Sequence, residues 1–458
     1  EWQIRTTATG KLPMTHRNLD AVCDFIAGTP SRTFPAEVLD AARQCVVDWV
    51  AASVAALNEP GPRIVRDYVK SWRTRGNALS LYGDTGAAAP IALVNGTLSH
   101  SLDYDDVHLG TAYHASGPTL AAALATGMDR KRSGRDILAA FIVGFEVGVA
   151  AGQRDIGLNL VHQGWHPTGT LGHFSSVAAA ALLLGLDRQQ LTNSYGLAAT
   201  QAAGLMISAG SSAKPFHVGK AAMNGVIAAE LAAQGLDASP QIFDDARIGV
   251  FTSLLQTTIE PDFQDLGRVW QITRNSFKPY AACQLTHASF EAARQLKGEF
   301  MLDRVRSIRA YVNPLAIKVA GKTQPRTAME GKFSIAYCVA LGLHGHAAVP
   351  DDFSQAHLSD RKIAAAADLV EVVPVESMQR WASRVELDRD DGTRSATIEA
   401  ALGSLDRPLR WPEIETKFMM AAEPVYNKRA RALFGALRCF DEPGRLDEIT
   451  AIMKGTLG

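Results

Sequence analysis

The chain is poor in the features that would announce a metal framework, a nucleic-acid partner or a membrane. Its five cysteines (Cys23, Cys45, Cys283, Cys338 and Cys439) are an odd number, and none stands in a CxxC or other zinc-type pair. That pattern excludes a disulfide framework and argues against a cysteine-ligated iron–sulfur cluster. It fits a reducing compartment, so a cytoplasmic location is expected. Neither sign of charge is in excess, with 46 Lys and Arg against 47 Asp and Glu. A nucleic-acid surface would need a clustered basic face. The longest cationic cluster, DRKRSGRD at 129–136, is short and mixed in sign, and reads as a solvated turn. No run approaches the ~18 uncharged apolar residues of a membrane helix, so neither nucleic acid nor membrane is an expected partner. The first twenty residues lack the apolar segment of a signal peptide, and those before Met14 read as a tail. The phosphate-loop pattern GxxxxGK[ST] and the HExxH glutamate are both absent. There is no internal repeat and no low-complexity linker.

Aromatics are only 7%, while alanine is abundant and hydrophobic residues reach 47%. A core of Ala, Leu, Val and Ile at helical spacing follows. From about 18 to 260 the pattern is helical. Residues 36–57 repeat apolar side chains every three or four positions, 134–153 are apolar nearly all round, and 219–235 form a helix stopped at Gly235. The character changes near 270. Residues 305–319 begin with strand-like alternation, 367–375 read likewise, and 383–400 make a hairpin about Asp391-Gly392. Residues 331–345 form a helix between these strands. Helical patterning returns after Trp411-Pro412. The expected fold is mainly α: a large all-α domain from 15–272 joined by 413–458, and a smaller α+β lid domain at 273–412.

Titratable residues concentrate in a few stretches. HSLDYDDVHLGTAYHASG (100–117) holds three aspartates (Asp103, Asp105, Asp106) and three histidines (His100, His108, His114) between apolar flanks. Such a density suits a metal site, an acid–base site or a hydrated turn. The preceding helix runs from Pro90 to about Asp106, which puts Asp103 and Asp106 on one face. A new helix starts near Ser116, whose hydroxyl can cap it, with Pro118 in its first turn. His114 then sits on a loop between rigid helices, a favoured place for reactive groups. In VHQGWHPTGTLGHFSS (161–176), His162 and His166 have zinc-like HxxxH spacing, but His166 precedes a proline and is steered away from helix. The segment reads as a loop feeding a helix N-terminus near 168–172, which suits an anion. SAGSSAKPFHVGK places Lys214 in a Ser/Gly-rich loop. FKPYAACQLTH sets Lys278, Tyr280 and His287 near the domain boundary, where ligand grooves are common. Tyr337 lies in the apolar helix of KFSIAYCVA.

Five segments, HSLDYDD…HASG, GWHPTGTLG, KPFHVGKAAMNG, FKPYAACQLTH and KFSIAYCVALGL, occur in the order and at the spacing of the signature segments of the MmgE/PrpD family, which the chain resembles from about 18 to 450. That family includes 2-methylcitrate dehydratase, cis-aconitate decarboxylase and iminodisuccinate epimerase. The resemblance implies a homodimer with its site between the helical domain and the lid, a small polycarboxylate substrate, and no metal or organic cofactor. By matching motifs, family site positions fall on Asp103, His114, His166, Lys214, His287 and Tyr337. The sequence also departs from the pattern. Val107 stands where decarboxylase-like members have threonine, one extra residue separates Asp103 from His114, HASG replaces HPSG, and Gln284 replaces an arginine. A lost hydroxyl and a lost guanidinium change how a carboxylate is held.

The expected chemistry is proton transfer at a carbon next to a carboxylate, which histidine can perform without tuning. Asp103 is expected to orient His114. Lys214, His166 and Lys278 would hold substrate carboxylates and stabilise enediolate-like charge. His287 and Tyr337 would complete the site on closure and protonate a leaving hydroxyl. A hydro-lyase of the 2-methylcitrate dehydratase kind is the leading expectation. An isomerase, epimerase or decarboxylase on a related acid is the alternative, and a non-catalytic carboxylate-binding protein a second one.

Overall fold

The computed structural model describes residues 17–454, and the tail expected before Met14 lies outside them. The chain is mainly α. Helices of at least seven residues are α1 (Arg17–Ala27), α2 (Ala36–Ala55), α3 (Pro60–Ser71), α4 (Ala88–Ser99), α5 (Ser116–Asp129), α6 (Gly134–Gly152), α7 (Ile156–His162), α8 (Pro167–Leu184), α9 (Arg188–Ala199), α10 (Ala213–Ala233), α11 (Gln284–Gln295), α12 (Pro314–Ala320), α13 (Ile335–Leu343), α14 (Arg361–Asp368), α15 (Trp411–Tyr426), α16 (Ala430–Arg438) and α17 (Arg445–Lys454). No single helix among them is long and apolar enough to cross a membrane.

Helix α8 lies at the centre, packed against α5, α6 and α10, while α10 also crosses α4. Small residues make these crossings close. A Cβ on Gly96 of α4 would fall inside contact distance of Gly219 Cα on α10, and one on Gly219 would strike Leu93 O and Thr97 Oγ1. Backbone meets backbone there, which only glycine permits. Helix α10 starts six residues before the expected position, at Ala213, and stops at Ala233, with Gly235 two residues beyond at φ +94°. Lys214 therefore belongs to a helical first turn rather than to a loop. The solvated turn at 129–136 is in part a helix start, since Ser133 and Asp136 form a reciprocal capping box on α6.

The C-terminal helices return to the first half of the chain. Helix α15 lies on α2, where Lys417 Nζ meets Asp48 Oδ1 at 2.6 Å, and Arg43 pairs with Asp441 at 2.8 Å. Between 305 and 398 a four-stranded sheet forms from β1 (Val305–Val312), β2 (Val370–Pro374), β3 (Ser383–Arg389) and β4 (Gly392–Ile398) in the order β2-β1-β3-β4. Strand β1 pairs parallel with β2 and antiparallel with β3. Alternate residues of β3 are buried, and a bulge between Val305 and Ser307 shifts the phase of burial along β1. In the hairpin Arg389 pairs with Gly392, so Asp390 and Asp391 form the turn and Gly392, at φ +112°, opens the return strand. The turn thus sits one residue earlier than the Asp-Gly signal placed it.

The sheet has its own apolar cluster under α11 and α13, yet it is not walled off from the main core. Helix α13 serves both: Tyr337, Cys338 and Leu341 face the large core, while Ile335, Val339 and Leu343 face the sheet. Steps of three and four residues divide one helix into these two faces.

Candidate active site

The segment 100–115 is where the two halves of the chain meet. Helix α4 stops at Ser99, several residues before the expected end. Asp103 then takes a left-handed backbone at φ +52°. The carbonyls that a continuing helix would use are taken by three buried ammonium groups instead. Lys332 Nζ donates to Leu102 O (2.9 Å), Lys278 Nζ to Asp103 O (2.9 Å) and Lys417 Nζ to Tyr104 O (2.6 Å). A two-way backbone bridge between Val107 and Ser276 (2.8 and 3.0 Å) fixes the far side of the loop. Burial pushes Lys332 down to about 8. Burial pulls Lys278 down most strongly of any one cause, but the Asp103 carboxylate, with Asp105 beyond it, together more than offset burial and raise this lysine above its ordinary value.

The left-handed turn sends neighbouring carboxylates to different partners. Asp103 accepts from Lys214 Nζ (2.6 Å) and Lys278 Nζ (2.8 Å). Burial would raise its pKa, yet the two lysines hold it well below the usual carboxylate range. Asp105 takes the imidazoles. His100 Nδ1 lies 2.8 Å from Asp105 Oδ2 and His114 Nδ1 lies 3.3 Å from the same oxygen. Both histidines together outweigh burial and keep Asp105 ionised. Asp106 points elsewhere, accepting from Ser116 Oγ and Asn275 Nδ2, and burial raises it to about 7. His108 turns away to Thr111 Oγ1 (3.0 Å).

Three expectations are corrected here. Asp105 rather than Asp103 adjoins His114, and Ser116 donates to Asp106 instead of capping α5, whose N-cap is Ala115. Asp103 and Asp106 share no helical face, because the helix has already ended.

His100 has both nitrogens committed, with Nδ1 on Asp105 and Nε2 2.9 Å from Lys214 Nζ. An ammonium can only donate, so Nε2 accepts and His100 is neutral with its proton on Nδ1. Burial lowers its pKa to about 4, in keeping with that tautomer. His114 is the freer ring: its side chain is 11% exposed, and Nδ1 meets Asp105 within pairing distance but is not aligned for a hydrogen bond. His166, pre-proline and extended at the N-cap of α8, stacks on His100 at 5.6 Å and meets His217 Nδ1 at 3.3 Å. Burial holds His166 well below the usual range. Lys214 sits at the positive end of the α10 dipole, an unfavourable place for a cation, and Asp103 compensates.

Asp103, His114, His166, Lys214 and Lys278 line one cavity of about 140 Å³, together with Val107, Gln284, Phe333 and a rim of apolar side chains. The structure does not bring His287 and Tyr337 to this lining. His287 is fully buried on α11, with Nε2 3.0 Å from Ala282 O, and burial drives it down to about 3. Tyr337 donates its hydroxyl to Asp352 O at 2.7 Å, as a core tyrosine does. His162 is exposed at the end of α7, 3.1 Å from Lys318 Nζ, and forms no pair with His166. Sequence reasoning did not single out Asp105, His100, His217, Lys332, Lys417, Arg380 or Trp381 for the site. The first two stood in the quoted cluster, His217 in KPFHVGKAAMNG and Lys332 at the start of KFSIAYCVALGL; Lys417, Arg380 and Trp381 carry no motif.

The ligand atoms of His100, Asp105 and His114 lie within 4.8 Å of one another, as do those of His346, Asp352 and His357. Both are donor sets a divalent ion could use. At the first, the Lys214 ammonium on His100 already supplies positive charge beside the place an ion would occupy.

Sequence comparison bears on what the cavity does. The family model of the MmgE/PrpD N-terminal domain matches residues 20–262, and that of the MmgE/PrpD C-terminal domain matches 280–441. A cis-aconitate decarboxylase-like protein, oryM, of Aspergillus oryzae is 25% identical over 95% of this chain and 97% of its own length. Cis-aconitate decarboxylase of Aspergillus terreus is 24% identical over 94% of each chain, and that of Homo sapiens 25% identical over 91% of this chain and 90% of its own.

Proposed function

The chain belongs to the MmgE/PrpD family, and from that premise we propose that it is a lyase acting on a small di- or tricarboxylate by proton transfer beside a carboxylate. The observation that supports this most directly is the pairing of Asp105 with His114 at the edge of a cavity whose floor is the Lys214–Asp103–Lys278 triad. Asp105 favours the His114 tautomer with its proton on Nδ1, which leaves Nε2 as the base. In this reading a substrate carboxylate meets Lys214 and Lys278, His114 removes the proton from the adjacent carbon, and the ammonium groups stabilise the enediolate charge as it forms. In dehydration the C–O bond then breaks, and the His114 imidazolium returns its proton to the departing hydroxyl, which leaves as water. His166 lines the same wall as a neutral donor or acceptor to the substrate. The sheet-bearing segment 273–412 acts as a lid carrying Lys278, and the working unit is a homodimer.

Dehydration of the 2-methylcitrate kind is the first reading. Decarboxylation is the second, favoured by the activity named for the relatives. The departures at Val107 and Gln284 set this chain's cavity apart from the decarboxylase pattern. Incubation with a panel of citrate-like acids, followed by proton NMR, tests the proposal. An unsaturated product with water lost supports dehydration, and carbon dioxide release supports decarboxylation. Tight binding of an acid with no chemistry at all would refute a lyase.

A further inference from the structure

The cavity is strongly asymmetric. Its charged groups gather at the Asp103 triad and His114, whereas Leu158 and Val161 of α7, Met206, Leu315 and Val319 of α12, and Trp381 form an apolar wall. All six are only partly buried. They come from separated segments that meet at the mouth, where Lys318 of α12 reaches His162 of α7 at 3.1 Å. The charge in the depth is small as well. Lys214 and Lys278 share Asp103, so the triad presents one net positive charge. Gln284 adds a neutral amide whose Oε1 has no hydrogen-bond partner, and Arg380, a further lining cation, makes no ion pair among the described residues. A compact tricarboxylate would crowd its anions onto that single charge and leave the wall wet, which is unfavourable on both counts.

We propose that the substrate is a di- or tricarboxylate bearing an aliphatic chain, with its acid head on the lysine triad, a second carboxylate within reach of Arg380, and its hydrocarbon against the wall capped by Trp381. This rests on the proton-transfer reading of the same cavity and narrows its substrate class. Arg380 and Trp381 belong to the turn between β2 and β3, so the sheet segment sets chain selectivity.

The test is calorimetric titration of the full chain with succinate and its 2-methyl, 2-propyl and 2-pentyl derivatives. Affinity is expected to rise about twofold to fourfold for each methylene buried. Met206→Gln and Trp381→Ala, in variants that keep the unaltered chain's melting temperature, should flatten that dependence. Equal affinity across the series would overturn this inference and leave the proton-transfer reading standing. Failure of every dicarboxylate in the series to bind the unaltered chain would overturn both.

Discussion

At the scale of single residues, the site is a problem in sharing charge. Asp103 is the one carboxylate between two buried lysines, each within 2.8 Å of it. Removing it leaves two ammonium groups buried without an anion. Asp103→Asn is therefore expected to cost about 3–5 kcal/mol of stability, visible as a lower melting temperature, and to weaken activity through misplaced lysines rather than through lost proton transfer. Asp105→Asn should do the reverse. It leaves the lysine triad intact, so substrate binding stays within a few-fold, while turnover falls because His114 loses the partner that sets its tautomer. Measuring melting temperature, Kd and kcat for both variants separates the two roles; matching losses in all three would contradict the division. The sequence makes both aspartates visible but not their partners, since one left-handed residue at 103 decides which faces the lysines.

At the scale of elements, the loop 100–115 holds its shape because helices from distant segments grip it. Helix α10 carries Lys214 in its first turn and crosses α4 five residues later, at Gly219. Gly219→Ala forces the two helices apart at a point with no slack, an overpacking cost of roughly 1–3 kcal/mol or more. Because the shift moves Lys214 away from Asp103, kcat/KM should fall along with the melting temperature. A stable variant with full activity would show that the crossing does not position the lysine. Elements of this kind were largely legible in the sequence. The helices at 36–55 and 134–152, the hairpin and the return of helix after 411 follow from periodicity and turn chemistry. The end of α4 was not legible, because it is imposed by Lys278, Lys332 and Lys417, which lie 175, 230 and 313 residues along the chain from the carbonyls they bind. Buried lysines resemble surface lysines in a sequence, and a loop such as 375–382 offers no signal that Arg380 and Trp381 reach a cavity.

At the scale of the whole molecule, buried histidines make the fold acid-sensitive. Burial lowers His100, His108 and His173 to about 4 and His287 to about 3, from an ordinary 6.5. A depressed folded-state pKa gives stability that is complete above the unfolded value and lost as pH falls through the folded one. These four therefore weaken the fold from about pH 6.5 downward. Asp106 and Glu146 act in the opposite sense, since burial raises both to about 7 and their contribution fades as pH rises to that value. Burial raises Asp48, Glu59 and Glu230 in that same opposing sense. His166 and His217 are lowered like the other rings, and Asp103 and Asp105 are held low. Eight depressed groups thus face five raised ones, and the melting temperature should decline on acidification from pH 6.5 to 4. A steady rise over that interval, followed by differential scanning calorimetry, would contradict the burial of these rings as neutral groups.

The central claim is that His114, set by Asp105 beside a carboxylate-binding cavity, moves the proton on the carbon next to the carboxylate. The most direct measurement is deuterium incorporation from heavy water into a bound or turned-over polycarboxylate, followed by NMR for the unaltered chain and for His114→Gln. The account predicts incorporation at that carbon by the unaltered chain and a loss of about 10²–10⁴-fold in His114→Gln, with the acid still bound within a few-fold. Incorporation at an undiminished rate in His114→Gln would contradict it.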